Sequence, residues 1–366
     1  MQNNLRSDRD MEPFKKLAER LDQIPNGFPK TESGVELKLL ARLFTPEEAA
    51  LASNLSLELK SVKDIASICG IDEPQVKSLL IGMVKKGLID MKRKEGEGFV
   101  FCLIPFVVGF YERQNAKIDK EFAELFEAYY KESFHKTMLV NPSVHRVIPV
   151  EKTIPVRTDV MPYEKASTYL DESRSWGVLD CICRVQQKLI GKGCDHPIEN
   201  CLVFSTRPGA FDRTDDIRAI SKEEALDILA EADREGLIHA TSNTQAEVNY
   251  ICNCCTCSCG VLRGMVEYGN TDIIARSDFY AVVDPDLCSA CEDCLERCQF
   301  KALKMVDDMC TVDTALCAGC GLCVTACPTE ALSMALKREA DADPPPVSEY
   351  EWREKREKAM IQINPK

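Results

Sequence analysis

The chain has 366 residues, enough for two or three domains with separate cores, and its 45% hydrophobic and 29% charged residues are those of a folded globular protein. A formal net charge of -13 argues against nucleic acid as the main partner and suits docking to basic protein surfaces. Twenty cysteines stand against four histidines, and the polar opening MQNNLRSDRDMEPF lacks the apolar core of a signal peptide. A reduced, cytoplasmic setting with metal-bound thiols is therefore expected rather than a disulfide framework. The longest apolar run, Gly98 to Tyr111, is shorter than the ~20 residues of a membrane span and is broken by Pro105, so no span is expected.

The expected class is α+β and multi-domain. Residues 1–34 read as a polar lead-in holding one helix. Over 35–111, SVKDIASICG reads as a helix, IDE as a turn, PQVKSLLIGMVKKGLI as a second helix and DMKRKEGEGFVFCL as a hairpin. This order resembles a winged helix-turn-helix domain, which implies a DNA-binding surface. The charge opposes that implication: from Ser61 to Glu97, Lys63, Lys77, Lys85, Lys86, Lys92, Arg93 and Lys94 face Asp64, Asp72, Glu73, Asp90, Glu95 and Glu97, close to neutrality. Leu79, Leu80, Ile81, Met83 and Val84 also make the second helix too apolar for a solvated reading face. A docking role, with a partner or a second copy, is expected of this domain. The basic stretch KRK keeps open the alternative of a redox-sensing transcriptional regulator.

Residues 112–162 read as an amphipathic helix from Tyr111 to about Leu139, with Phe122, Leu125, Phe126 and Tyr129 on one face, followed by an extended connector carrying Pro142, Pro149, Pro155 and Pro162. A helix from Tyr163 to about Ser173 opens a cysteine-rich region, 163–275. Within it SKEEALDILAEADREG reads as a helix with Ser221 as N-cap, Glu224 completing a capping box and Gly236 ending it. Residues 337–366, with Pro344 to Pro346 and dense charge, read as a mobile tail.

Residues 276–336 contain an internal repeat offset by 29 residues. Cys288, Cys291, Cys294 and Cys298 map onto Cys317, Cys320, Cys323 and Cys327, giving C-x2-C-x2-C-x3-C twice. This resembles the bacterial two-cluster ferredoxin, in which each repeat gives three thiolates to one [4Fe-4S] cluster and its fourth to the other. The resemblance implies one cluster on Cys288, Cys291, Cys294 and Cys327, and a second on Cys317, Cys320, Cys323 and Cys298. Ala290, Gly319 and Gly321 let the loops close, and Pro328 follows the last cysteine as the pattern expects. Gln299 departs from it, and Glu292 and Asp293 stand where the second loop has Gly321 and Leu322, which predicts the lower potential for the first cluster. Paired zinc knuckles also use C-x2-C, but the full run and its duplication argue against them.

Upstream, Cys181, Cys183, Cys194 and Cys201 lie in one segment and Cys252, Cys254, Cys255, Cys257 and Cys259 in another. Neither fits the ferredoxin spacing. Five thiols in eight residues need a metal to protect them from oxidation, so one or two further clusters are expected, with zinc or structural thiols as the alternative. The pattern of a CxCR and a CNCC segment ahead of a dicluster module resembles multi-cluster iron-sulfur proteins. Arg184, directly after Cys183, and Arg263, just after the second segment, are candidates to offset cluster charge, with unspecific surface arginines as the alternative; His196 reads as a loop histidine, with a ligand role as the alternative, and Cys69, Cys102 and Cys310 as inert buried thiols. No dinucleotide fingerprint, phosphate loop or nucleophile-base pair appears. The expected function is single-electron transfer between redox partner proteins, as a carrier or an oxidoreductase subunit rather than a stand-alone enzyme. An open iron site in the CNCC region acting as a Lewis acid remains the catalytic alternative.

Overall fold

A computed structural model of the chain describes residues 8–96, 98–155, 160–212, 214, 216–338 and 343–363. The first seven residues of the lead-in, Glu97 of the hairpin, part of the connector and parts of the tail lie outside the described residues. The chain forms two compact units: residues 1–137 with 189–192, and 138–188 with 193–366. Helix and strand are mixed, as an α+β class requires.

In the first unit, helices α1 (Asp8–Asp22), α2 (Val35–Leu43) and α3 (Pro46–Ala52) precede a short strand β1 (Lys60–Ser61). Helix α4 (Val62–Cys69) starts where the Ser61 hydroxyl accepts from the Asp64 N–H and the Asp64 carboxylate answers the Ser61 N–H, and it stops at Gly70 in the left-handed region. Asp72 caps α5 (Glu73–Lys86), which buries Val76, Leu80 and Met83, and Gly87 closes it. Strands β2 (Ile89–Lys94) and β3 (Gly98–Leu103) form the hairpin, with β1 on the far edge of β3. Helix α6 runs only from Lys120 to Glu132, not from Tyr111, because the Asp119 side chain accepts from the Phe122 N–H and fixes the start there. Its face carries Phe122, Phe126 and Tyr129 into an aromatic core with Phe28, Phe106, Tyr111 and Phe134, while Leu125 is only half-buried.

The second unit is built on a six-stranded antiparallel sheet. Its elements in chain order are β4 (His145–Val147), α7 (Ala166–Asp171), β5 (Ser175–Asp180), α8 (Ile182–Leu189), β6 (Glu199–Ser205), β7 (Arg218–Ile220), α9 (Lys222–Arg234), β8 (Ile238–Ser242), β9 (Tyr250–Cys254) and α10 (Arg263–Tyr268). The strand order is β4-β8-β9-β6-β5-β7. The expected connector thus contributes an edge strand, β4, which pairs with β8. Ser221 caps α9, but the Glu224 carboxylate turns to Arg218 at 2.6 Å instead of completing a capping box.

Alternation along the strands separates two kinds of side chain. Leu202 and Phe204 of β6 and Ile251 of β9 enter one apolar core with Val178, Leu170, Ala225 and Leu229. Cys201, Cys252 and Cys254 occupy the alternate positions, and the register Leu202 to Ile251 sets Cys201 beside Cys252 when extended by one residue.

The remaining elements are β10 (Phe279–Val283), α11 (Asp293–Arg297), β11 (Leu303–Val306), β12 (Met309–Val312), α12 (Leu322–Ala326), β13 (Leu332–Leu336) and α13 (Glu349–Ile363). The two sequence repeats each become strand, cysteine loop, short helix, strand. They are interleaved: β10 of the first pairs with β13 of the second, and β11 with β12. Asp284 N–H donates to Ala331 carbonyl at 2.8 Å and Asp313 N–H to Ala302 carbonyl at 2.7 Å, the same bond at repeat-related positions.

The tail expected to be mobile instead contains α13. Trp352 is buried and its Nε1–H donates to the Ser143 carbonyl at 3.0 Å; Arg356 is wholly buried and donates to the Pro142 carbonyl at 2.8 Å. Two buried anchors one helical turn apart outweigh the charged composition around them. Trp352→Ala is expected to lower the stability of this unit by about 3–5 kcal/mol. A wild-type denaturation curve for that variant would mean the helix is not held.

Candidate metal centres

The interleaved repeats gather the eight ferredoxin-pattern cysteines into two hollows. Cys288, Cys291, Cys294 and Cys327 line one, together with Val283, Ala331 and Leu332. Cys298, Cys317, Cys320 and Cys323 line another, together with Ala281, Phe300 and Met334. Each hollow therefore contains three thiols of one repeat and the fourth of the other. Cys298 Sγ accepts from the Ala302 N–H at 3.3 Å and Cys327 Sγ from the Ala331 N–H at 3.2 Å. Such N–H donors stabilise charge on a metal-bound sulfur. Burial pushes the Cys320 thiol up to about 12 and raises Cys323 and Cys298, so without a cation these thiols stay protonated.

The loops close through left-handed residues. Gly319 has φ +73°, and a Cβ there would stand 2.1 Å from Ser277 Oγ and 2.2 Å from the Phe279 carbonyl oxygen. The matching first-loop residue, Ala290, takes φ +57°, and Glu292 takes +67° where the second loop has Gly321. The first loop therefore adopts the same path at a cost of ~1–2 kcal/mol for each non-glycine residue.

Cys310 corrects the sequence reading. It is buried, but its Sγ lies 3.6 Å from Cys294 Sγ and it lines the first hollow beside the four expected ligands. Burial, then Cys294, pushes it up to about 12, so it remains a thiol. The sequence hid it because it sits in strand β12, outside the spaced run. Cys69 is half-buried and Cys102 buried.

The upstream field divides into two groups. Cys181 contacts Cys183 and Cys201; Cys183 contacts Cys259; Cys201 contacts Cys252; Cys254 contacts both Cys252 and Cys259. Six thiols thus close a ring drawn from the start of α8, from β6, from β9 and from the turn before α10. The Cys183 and Cys201 contacts hold the Cys181 thiol well below the ordinary value, while each of the other five is pushed up. The remaining three, Cys194, Cys255 and Cys257, stand apart from that ring with His196.

Arg184 and Arg263 are buried, at 2% and 3% exposed, which removes the surface alternative. Arg184 donates to the Asn200 Oδ1 and Pro197 carbonyl, each at 2.8 Å, and to the Asn253 carbonyl at 2.7 Å. Burial pulls its pKa down, and the thiols of Cys181, Cys255 and Cys254 more than reverse that. Its charge serves both thiol groups. Arg263 pairs with Glu267 at 2.7 Å.

Gln299, the departure from the ferredoxin pattern, ties the two cysteine regions together. Its Oε1 accepts from the Thr256 N–H at 2.7 Å, and its Nε2 donates to the Gly236 carbonyl. Arg297 adds bonds of 2.6 Å to the Asp233 and Arg234 carbonyls at the end of α9. Proline at 299 could form neither side-chain bond.

Cys294 Sγ donates to Cys310 Sγ at 3.6 Å; a cluster bound at Cys294 would take that proton away and leave the Cys310 thiol as the donor, and such hydrogen bonds raise a cluster's potential. If a cluster occupies this hollow, Cys310→Ala is expected to lower its midpoint potential, by roughly tens of millivolts, in an EPR-monitored titration. An unchanged potential would mean that the thiol is only packing.

No helix among the described residues is long and apolar enough to cross a membrane. No curated protein and no solved structure matches the chain. The 4Fe-4S binding domain family, Fer4, matches residues 310–333, which hold Cys317, Cys320, Cys323 and Cys327, and with the clustered cysteines this supports an iron-sulfur protein.

Proposed function

We propose that the chain relays single electrons between partner proteins through a C-terminal two-cluster ferredoxin module and one further iron-sulfur centre in the six-thiol ring. The observation that carries this reading is the sorting of Cys327 with Cys288, Cys291 and Cys294, and of Cys298 with Cys317, Cys320 and Cys323. Bound [4Fe-4S] clusters supply reversible one-electron storage at those positions. The protein's own residues do the rest. The apolar walls exclude water, the Ala302 and Ala331 N–H groups neutralise sulfur charge, and the strand exchange between repeats fixes the spacing of the two hollows. In the ring, Cys181, Cys183, Cys201, Cys252, Cys254 and Cys259 offer more thiols than the four corners of a cubane require, and Arg184 offsets their charge.

The helix, turn, helix and hairpin of 61–103 read as a docking domain in this scheme. The exposed positions of α5 carry Glu73, Pro74, Gln75, Lys77, Ser78 and Lys85, a mixed face with two lysines well separated along the helix. No observation favours the regulator alternative over docking.

Crossed ligation gives an unusual pairing of variant and signal. Cys298→Ala, a change in the first repeat, should remove the cluster held by the second loop, and Cys327→Ala the cluster held by the first. Anaerobic iron and sulfide counts with EPR on each variant read this directly. Loss confined to the mutated residue's own repeat would overturn the crossing. The wild-type chain should carry about twelve irons, eight in the module and four in the ring. About eight would confine the clusters to the module.

A further inference from the structure

We infer that Cys194, His196, Cys255 and Cys257 form a site for a single tetrahedral zinc ion, separate from every iron-sulfur centre proposed above. The four ligand atoms all lie within 4.8 Å of one another. Cys194 Sγ stands 3.9 Å from Cys255 Sγ, and Cys257 Sγ stands 3.8 Å from His196 Nδ1. Ligands that share one zinc ion with bonds of ~2.3 Å to sulfur and ~2.0 Å to nitrogen meet at tetrahedral edges of about 3.5–3.8 Å. A cubane interposes iron and sulfide between its thiolates and holds them farther apart. The two separations of 3.9 and 3.8 Å are those of ligands to one ion, and four donors with one imidazole among them make a complete set for it.

The backbone supplies the ligands in two pairs, each with one residue between. Cys194 and His196 come from the loop after α8, and Cys255 and Cys257 from the loop that follows β9. Cys254 and Cys255 are adjacent in sequence yet serve different groups, because β9 ends at Cys254 and the chain turns there. The set is supported from outside the ligands. Cys255 packs on Ala232 and Leu237 with Cys194 against it. Ser258 Oγ lies 3.4 Å from Cys194 Sγ, and the Gln299 side chain holds the Thr256 N–H between the two loop cysteines. Three thiols and one imidazole close a tetrahedron, the arrangement of a structural zinc site rather than a catalytic one with an open position.

Such an ion would clamp the 194–196 loop to the 255–257 loop. That junction is also where Gln299 of the ferredoxin repeat attaches, so the site would brace the contact between the two cysteine regions. His196 then has a ligand's role, not that of a free loop residue.

The test is metal analysis of the full-length protein purified without oxygen. Wild type should hold one zinc per chain in addition to its iron, and zinc-edge X-ray absorption should show three sulfur neighbours and one nitrogen. Cys257→Ser, at an exposed position, and His196→Ala should each lose that zinc while keeping iron content and visible absorbance. His196→Cys should restore it. A wild-type chain with no zinc, a mononuclear iron in its place, or loss of iron with Cys257→Ser would each overturn the inference. Because the iron count is read in the same samples, failure of the zinc site and failure of the electron-relay reading give different results.

Discussion

Thiols crowded within a few ångströms cannot all ionise unless a cation sits among them, and this constraint shapes the second unit. Burial alone pushes Cys320, Cys323 and Cys298 upward, and each neighbouring thiolate would push further. A metal reverses both penalties at once, because it binds the deprotonated sulfur and screens it from its neighbours. Folding and metal binding of this region are therefore expected to be one process. Arg184 is the protein's own share of that neutralisation, held in place by the Pro197 and Asn253 carbonyl oxygens and the Asn200 Oδ1. An acid there would cancel the charge the thiols need.

The antiparallel sheet is what allows an apolar core and a thiol-rich face to share the same strands. The alternation in β6 and β9 sends Leu202, Phe204 and Ile251 one way and Cys201, Cys252 and Cys254 the other. A helix would have spread the same residues around its circumference. The interleaved repeats solve a related problem differently. Because β10 pairs with β13 and β11 with β12, neither repeat completes its hollow alone, and the two form together or not at all.

The repeat was legible from spacing because each loop makes its own local turn and the cysteine intervals fix it. The capped helices α4, α5 and α9 were legible for the same reason: Ser61, Asp72 and Ser221 act on the next turn of their own backbone. What the sequence concealed depends on distant packing. Nine upstream cysteines gave no sign of dividing six to three, since the division follows from where β9 ends and how β6 registers beside it. Cys310 gave none either, because its neighbour Cys294 is brought to it by tertiary structure. Helix α13 was masked by charge, although two residues, Trp352 and Arg356, suffice to seat it.

Gln299 shows how a departure from a pattern becomes informative. In the second repeat the residue after the last cysteine is Pro328, which stiffens the turn but donates and accepts nothing through its side chain. In the first repeat a carboxamide occupies that place and spans from the Gly236 carbonyl to the Thr256 N–H. Proline stiffness in the first repeat is thus exchanged for a two-ended hydrogen bond between the Gly236 carbonyl and the Thr256 N–H, whereas the second repeat reaches the end of α9 from its short helix, through Thr325 Oγ1 and Asp233 Oδ1 at 3.1 Å.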